Sequence, residues 1–353
     1  MNTESTLLKN TARLVIACLI VVIMVVGQAF LVPLAWSLFI AIASYPMLHK
    51  IEQRTGWSRS LINALFLLLL LAFLVIIGFF FYAELSSIFR DMPTLSATIS
   101  DKLHALSDSM KRYGINLPDH IDKSYISTWV NEHNGLIMGF ISGIGTNIWN
   151  IILIMFYMFF LLYYRDLIIQ FYVAKIEDTN RLEMARERFF KSLDIIRSYL
   201  NGLLLITLIS AVMNYVVFLI FGLKYALFFA SFLAVLNLIP FIGNPIGLLV
   251  IMLFAFLTKD GMLVPSLIFI SLFIMNFLQD NIVRPWIMGD KMKINAFVVF
   301  IATIIGGMIW GVSGMILFIP IAGIVKVILE SREQEGAYAI FFSELPKKPK
   351  KPK

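Results

Sequence analysis

The segment Pro240–Pro245 constrains the fold most, because its two prolines and a glycine interrupt an apolar run from Tyr225 to Leu257. Proline removes a backbone donor and clashes with the preceding turn, so a continuous helix through this run is excluded. Inside a bilayer, a broken helix survives only where protein or a water-filled cavity covers the freed backbone groups. Breaks of this kind often mark the solute or ion sites of transporters. The segment therefore predicts a membrane protein with a path for a solute or an ion.

The composition agrees with this interpretation. Of the 353 residues, 59% are hydrophobic and only 14% are charged, whereas soluble domains carry about 25% charged residues. The single cysteine, Cys18, excludes an internal disulfide. No P-loop, dinucleotide fingerprint or H-E-x-x-H motif occurs, so neither ATP-driven pumping nor zinc proteolysis is supported and no cofactor is expected. The expected partners are the lipid bilayer and a transported solute, with no nucleic acid.

The order of apolar runs predicts an all-α polytopic membrane protein. A spanning helix needs about 20 apolar residues. Such runs cover residues 14–32, 33–48 after a turn near Pro33, 61–82, 148–164, 199–221 and 262–283. Two further runs, 225–257 and 296–329, are interrupted hairpins whose arms reach about 25 Å each way at about 1.5 Å per residue. Because this is short of an about 30 Å core, we expect broken or re-entrant hairpins and about eight membrane helices in all.

The chain divides into six predicted segments. The polar part between the third and fourth spans has helical apolar spacing and predicts a small external helical insert. The alternation of charge signs after Tyr164 predicts a cytoplasmic amphipathic segment. The segments are 1–83 (three membrane helices), 84–146 (external insert), 147–164 (fourth span), 165–197 (amphipathic), 198–330 (transport core) and 331–353 (basic disordered tail).

The distribution of basic residues predicts the orientation. Seven Lys or Arg residues lie between residues 165 and 197, and five lysines lie in the last nine residues. Lys and Arg concentrate on the cytoplasmic side of membrane proteins. Both termini are therefore expected in the cytoplasm, and the 84–146 insert outside.

Asp280 is the strongest ionisable candidate, because a carboxylate at the end of a span is costly and usually functional. It lies in Gln279-Asp280-Asn281, with Arg284 one turn later. One interpretation is a carboxylate that binds a transported cation or proton, with Arg284 holding it ionised or attracting an anionic group. The alternative is an interfacial Asp280–Arg284 ion pair at helical spacing.

Other candidates surround the two interruptions. Amide and backbone oxygens near the first interruption suit a cation or a polar solute, and no permanently bound metal is expected. The predicted solute or ion site is Asn237, Pro240, Gly243, Asn244, Gln279, Asp280, Asn281 and Arg284. The predicted hinge and packing residues are Pro285, Gly289, Gly306, Gly307, Gly311 and Gly314, because small residues allow close helix approach.

The sequence Gly311-Val312-Ser313-Gly314 also matches the G-x-S-G of rhomboid intramembrane proteases. A nucleophilic serine needs a base, and all four histidines lie outside the predicted spans. The motif is therefore interpreted as close packing, and the protein is expected not to be an enzyme.

The C-terminal half resembles the autoinducer-2 exporter family. The resemblance is carried by LNLIPFIGNPIG (236–247), QDNIVRPWIMGDKMKI (279–294) and IIGGMIWGVSGMILFIPIAGIVKVIL (304–329). The N-terminal half matches in layout only. Many relatives carry a His-Pro pair where this chain has Asn295-Ala296, so no role of that pair is carried over.

The resemblance implies a secondary transporter of the bacterial inner membrane, often a homo-oligomer. Some relatives are associated with export of autoinducer-2 and others with sodium or lithium/proton antiport, so the expected solute is a small polar molecule or a cation. A structural membrane protein and a passive channel remain the alternative functions.

Overall fold

The fold is described from a computed structural model of the chain. The described residues are 3–91, 97–98, 101–102, 134–174, 179–288, 294–330 and 341–342. Most of the predicted external insert, most of the predicted tail and Gly289 lie outside these ranges.

The regular elements of the described ranges are all helices. They are α1 (Thr3–Val26), α2 (Gln28–Thr55), α3 (Arg59–Arg90), α4 (Asn134–Tyr163), α5 (Arg165–Ala174), α6 (Thr179–Ile220), α7 (Ala226–Leu236), α8 (Gly243–Thr258), α9 (Leu263–Leu278), a π-helical turn (Gln279–Val283), α10 (Arg284–Met288) and α11 (Ala296–Glu330). Five helices in the described ranges are long and apolar enough to cross a membrane, or six if the bent pair formed by α4 and α5 is one span. The predicted all-α polytopic membrane class is confirmed.

Shorter apolar helices form the first predicted hairpin. The helices α7 and α8 have 11 and 16 residues, so at about 1.5 Å per residue neither crosses an about 30 Å hydrocarbon core alone. The run is broken where the sequence predicts, between Leu236 and Gly243.

The first two helices separate at Gly27, and the predicted turn near Pro33 is wrong. The amides of Phe30 and Leu31 both donate to the Gly27 carbonyl, at 3.0 and 2.8 Å, while Pro33 lies inside α2. Proline has a helix-compatible φ and removes only one donor. A Cβ at residue 27 would lie 2.7 Å from the Ile23 carbonyl oxygen, so the junction between α1 and α2 has no room for a side chain at this position.

Two other predicted boundaries fall inside helices. The helix α6 runs unbroken from Thr179 to Ile220, across the expected division at Arg197, because no glycine or proline lies between residues 179 and 201. The expected polar turn after Val283 is helical as far as Met288. The pattern of apolar and polar residues changes at these positions, but the backbone stays helical.

The chain folds into two compact units, and each is discontinuous in sequence. Unit 1 comprises residues 1–67, 150–203 and 288–353, and unit 2 comprises residues 68–149 and 204–287. The core of unit 2 is apolar and includes the fully buried side chains Phe218, Leu233, Ile251, Ile268 and Leu272. In unit 1, a smaller cluster packs around Phe39, Ile196 and Leu317.

A small cluster of polar residues in unit 2 is centred on the carboxylate of Asp91. Lys224 and the Tyr225 hydroxyl both donate to the Asp91 carboxylate. The hydrogen bonds from Lys224 and then from Tyr225 hold the pKa of Asp91 below its usual value. These contacts attach the end of α3 to the connection between α6 and α7.

Candidate solute-binding site

The break between α7 and α8 is a compact turn in unit 2. Pro240 lacks an N–H that could donate to Leu236, so α7 ends there. The Gly243 amide donates to the Ile239 carbonyl at 3.0 Å, and Phe241 has a φ of 64°. A Cβ at Gly243 would lie 1.7 Å from the Leu236 carbonyl oxygen. Only glycine allows the start of α8 to approach the end of α7 this closely.

The side chain of Gln279 is the buried polar group beside this break. It is 1% exposed, and its Oε1 accepts a hydrogen bond from Asn237 Nδ2 at 3.3 Å. Within the described part of the chain, Gln279 Nε2 and Asn244 Oδ1 are buried atoms with no hydrogen-bond partner. Because buried polar groups are normally satisfied, the unused donor and acceptor indicate a place for water or a polar solute. We refer to Asn237, Asn244 and Gln279 as the break amides.

A π-helical turn sets the direction of Gln279. The Arg284 amide donates to the Gln279 carbonyl, five residues earlier. Pro285 cannot donate to Asn281, and the widened turn before it absorbs this loss. Turns of this kind are rare and frequent at functional sites.

A second buried amide lies on α6, also in unit 2. Asn214 Nδ2 donates to Ser210 Oγ at 3.2 Å, and both side chains are buried. Asn214 Oδ1 has no partner among the described residues. Its burial cannot be recognised from sequence, although its polarity within an apolar run is visible. Asn201, a further asparagine of this helix, is exposed.

The other predicted site residues in and after this turn are exposed or half-buried, and their side chains make no hydrogen bond to the break amides in the described structure. Asp280 is 55% exposed on its side chain and accepts a hydrogen bond from Arg284 Nε at 3.3 Å. Asn281 is exposed, and its Nδ2 donates to the Phe277 carbonyl at 2.8 Å. Pro285 is exposed as well. The geometry corresponds to an exposed ion pair, and the residue of this turn that joins the break amides is Gln279.

The glycines of the last hairpin lie in unit 1, on α11. A Cβ at Gly306 would be 2.2 Å from the Gly314 carbonyl oxygen, and one at Gly314 would be 1.9 Å from the Gly306 carbonyl oxygen. In a straight helix these residues would be about 12 Å apart, so the chain folds back between them. The reversal occurs at Gly311, with φ 58° and ψ −140°. Gly307 lies in the first arm, where a Cβ would meet the Met315 side chain at 2.7 Å.

The serine of the G-x-S-G sequence has a structural contact. Ser313 Oγ accepts a hydrogen bond from Trp36 Nε1 at 3.0 Å. Among the histidines, His49 is the one within the described ranges, and it stacks on Tyr45 and contacts Gln53 at 3.0 Å. The described residues contain no group of three or more His, Cys, Asp or Glu that could hold a metal ion.

These features are those of a polytopic membrane protein with interrupted apolar helices and with buried amides beside one interruption, an arrangement that is typical of transporters. Residues 14–334 match the family described as AI-2E family transporter. The chain belongs to that family, which confirms the resemblance seen in the sequence.

The relatives of this chain carry transport names, and two of the three described here match along nearly its whole length. The "Putative transport protein" of Haemophilus influenzae is 25% identical over 345 residues, covering 95% of this chain and 97% of the relative. The "AI-2 transport protein TqsA" of Escherichia coli K12 is 24% identical over 348 residues, covering 96% and 97%. The "Putative transport protein YrrI" of Bacillus subtilis is 34% identical over 137 residues, or 38% of each chain. The chain is therefore a multi-pass membrane protein with a transport role.

Proposed function

We propose that this protein is a secondary transporter of the bacterial inner membrane that moves a small polar solute past the break amides. The observation that carries the proposal is the pair Asn237–Gln279 at a helix break, with the buried Nε2 of Gln279 unused. An amide supplies both a donor and an acceptor without a charge. Such a group suits a neutral, hydroxyl-bearing solute, and the name of the Escherichia coli relative makes autoinducer-2 the first compound to assay.

A second candidate is cation or proton coupling at Asp280. It is favoured by a carboxylate in the turn that follows α9, next to Gln279. In this version Asp280 binds sodium, lithium or a proton, and Arg284 competes for the carboxylate. Antiport of a cation against protons would then require Asp280 to release Arg284 during the cycle.

Flux into proteoliposomes separates the two candidates. The panel is autoinducer-2, sodium and lithium, with a pH-sensitive dye inside the vesicles. The variant Gln279→Met keeps the side-chain volume but removes both hydrogen-bonding atoms, and Asp280→Asn removes only the charge. Ser266→Ala, an exposed position on α9, serves as the control for insertion and yield.

If the solute contacts Gln279, the apparent affinity of Gln279→Met for the solute should fall about two- to thirteenfold. That range follows from about 0.5–1.5 kcal/mol for a neutral hydrogen bond. The flux of Asp280→Asn should stay at the wild-type level. The opposite pattern, with loss of coupled flux only in Asp280→Asn, identifies the second candidate. Wild-type flux in both variants would reject both sites.

Two other results would change the class. Conductance without coupling indicates a passive channel, and absence of flux for every solute in the panel favours a structural role.

The proposal includes a homo-oligomer with both termini in the cytoplasm. Light scattering of the solubilised protein tests the first part, because a particle of one 40.2 kDa chain would reject it.

A further inference from the structure

The short helix α5 leaves the preceding membrane span at a sharp angle. Residues 148–163 and 165–171 are apolar helices that meet at 62°. Membrane helices are tilted by about 20° on average, so α5 runs at about 40–80° to the bilayer normal. A helix with this direction does not continue the crossing, and it turns toward the plane of the membrane surface.

One side of α5 is apolar and uncovered. Helical spacing places Leu167, Ile168 and Phe171 on the same side, and all three are exposed, Phe171 by 71%. The exposed polar residues Asp166 and Gln170 are one turn apart on another side of the helix. The exposed residues Ile169 and Val173 lie beside these two, so the wholly apolar side is the one formed by Leu167, Ile168 and Phe171, and this is the side that an interfacial helix buries in lipid.

The start of α5 is fixed by ion pairs within unit 1. Arg165 Nη2 donates to Glu52 Oε2 at 2.5 Å, and the guanidinium lies 4.9 Å from the ring centre of Tyr45. Arg59 Nη2 donates to Asp166 Oδ2 at 2.7 Å. These contacts occupy the charges at the bend, so the direction of α5 is set by the protein.

The end of the span carries two exposed aromatic residues. Tyr163 and Tyr164 are both exposed, with ring centres 4.9 Å apart in an edge-to-face arrangement. Tyrosine is enriched where a span meets the headgroups, since its ring is apolar and its hydroxyl is polar. The bend at Tyr164 is therefore at the level expected for the membrane surface.

We propose that α5 is an interfacial helix, whose Leu167–Ile168–Phe171 face is buried in the lipid of the bilayer that α4 crosses. The span before the bend exposes the apolar residues Ile152, Phe156 and Phe160, which a helix that crosses a bilayer presents to lipid, and this makes lipid the occupant of the adjoining face of α5. Apart from Arg165, which is paired with Glu52, the helix contains no Lys or Arg. Binding is therefore apolar and needs no anionic lipid.

Spin labelling of the full-length protein in lipid nanodiscs tests this placement. In a Cys18→Ser background, the single cysteine of Phe171→Cys carries a nitroxide, and Gln170→Cys is the matched control on the polar side. Accessibility to oxygen and to a water-soluble nickel complex gives the depth of each label. The label at residue 171 should lie about 5–10 Å below the phosphates, and the label at residue 170 should lie at or above them.

The depth at residue 171 should be the same in phosphatidylcholine and in a mixture with phosphatidylglycerol. Nickel access equal at the two positions would overturn the proposal. Low access of both reagents at residue 171 would also overturn it, because the face would then be covered by protein, such as a second copy of this chain. A depth that appears only with phosphatidylglycerol would reject apolar binding. If Phe171→Cys is not monodisperse, Leu167→Cys replaces it with the same expectations.

Discussion

The close approach of Gly306 and Gly314 predicts that a single methyl group at residue 306 destabilises the last hairpin. In Gly306→Ala, the Cβ would lie 2.2 Å from the Gly314 carbonyl oxygen. Ordinary contact begins at 3.4 Å, so the two arms of α11 must separate by about 1.2 Å. The obstacle is backbone, and no side-chain rotation relieves it.

The magnitude follows from two opposing effects. Overpacking of this kind costs about 1–3 kcal/mol, or more where backbone must move. Alanine in place of glycine recovers about 1 kcal/mol of helix propensity. The neighbouring variant Gly307→Ala provides the matched control, because its Cβ meets only atoms of the flexible Met315 side chain, at 2.7 Å from the terminal methyl group and 3.2 Å from Cγ. We therefore expect a net loss of stability for Gly306→Ala and little change, or a gain, for Gly307→Ala.

Thermal unfolding of the detergent-solubilised protein, followed by size-exclusion chromatography after heating, measures this difference. Gly306→Ala should unfold at a lower temperature than wild type, and Gly307→Ala should not. Equal unfolding temperatures for the two variants would refute the reasoning, since a methyl group would then have the same effect at both positions. A lower unfolding temperature for Gly307→Ala alone would also refute it, because the close contact would then be at Gly307 and not at Gly306.

Two further predictions concern orientation and pH. In the Cys18→Ser background, an impermeant thiol reagent should reach Ser58→Cys only from the cytoplasmic side and Ser107→Cys only from outside; labelling of both from one side contradicts the predicted topology. The lowered pKa of Asp91 contributes stability that is present above its unfolded value of 3.8 and is lost as the pH falls through the still lower folded value. The unfolding temperature of wild type should therefore fall more steeply below about pH 4 than that of Asp91→Asn, and parallel profiles would show that the Lys224 and Tyr225 contacts do not contribute.

The sequence alone determined the class of the protein and the place of its main break. Low charge and long apolar runs leave no alternative to a membrane protein, and Pro240 forces the end of a helix wherever the chain is placed. The family was also recognisable, because its motifs are contiguous in sequence. These features depend on local chemistry, which a sequence displays directly.

Only the tertiary structure decided which polar residue is buried. Gln279 and Asp280 are neighbours, and adjacent helical positions point about 100° apart at 3.6 residues per turn. The π-helical turn changes that register further, and it directs Gln279 toward Asn237 and leaves Asp280 outside. Likewise, the chain turns at Gly27, while Pro33 lies inside α2. A proline removes one backbone hydrogen bond from a helix, and the surrounding packing decides whether the helix continues without that bond. The side of a helix on which a residue lies, and the register of the helix, are set by packing between segments that are distant in sequence. Neither property is visible as a local sequence pattern.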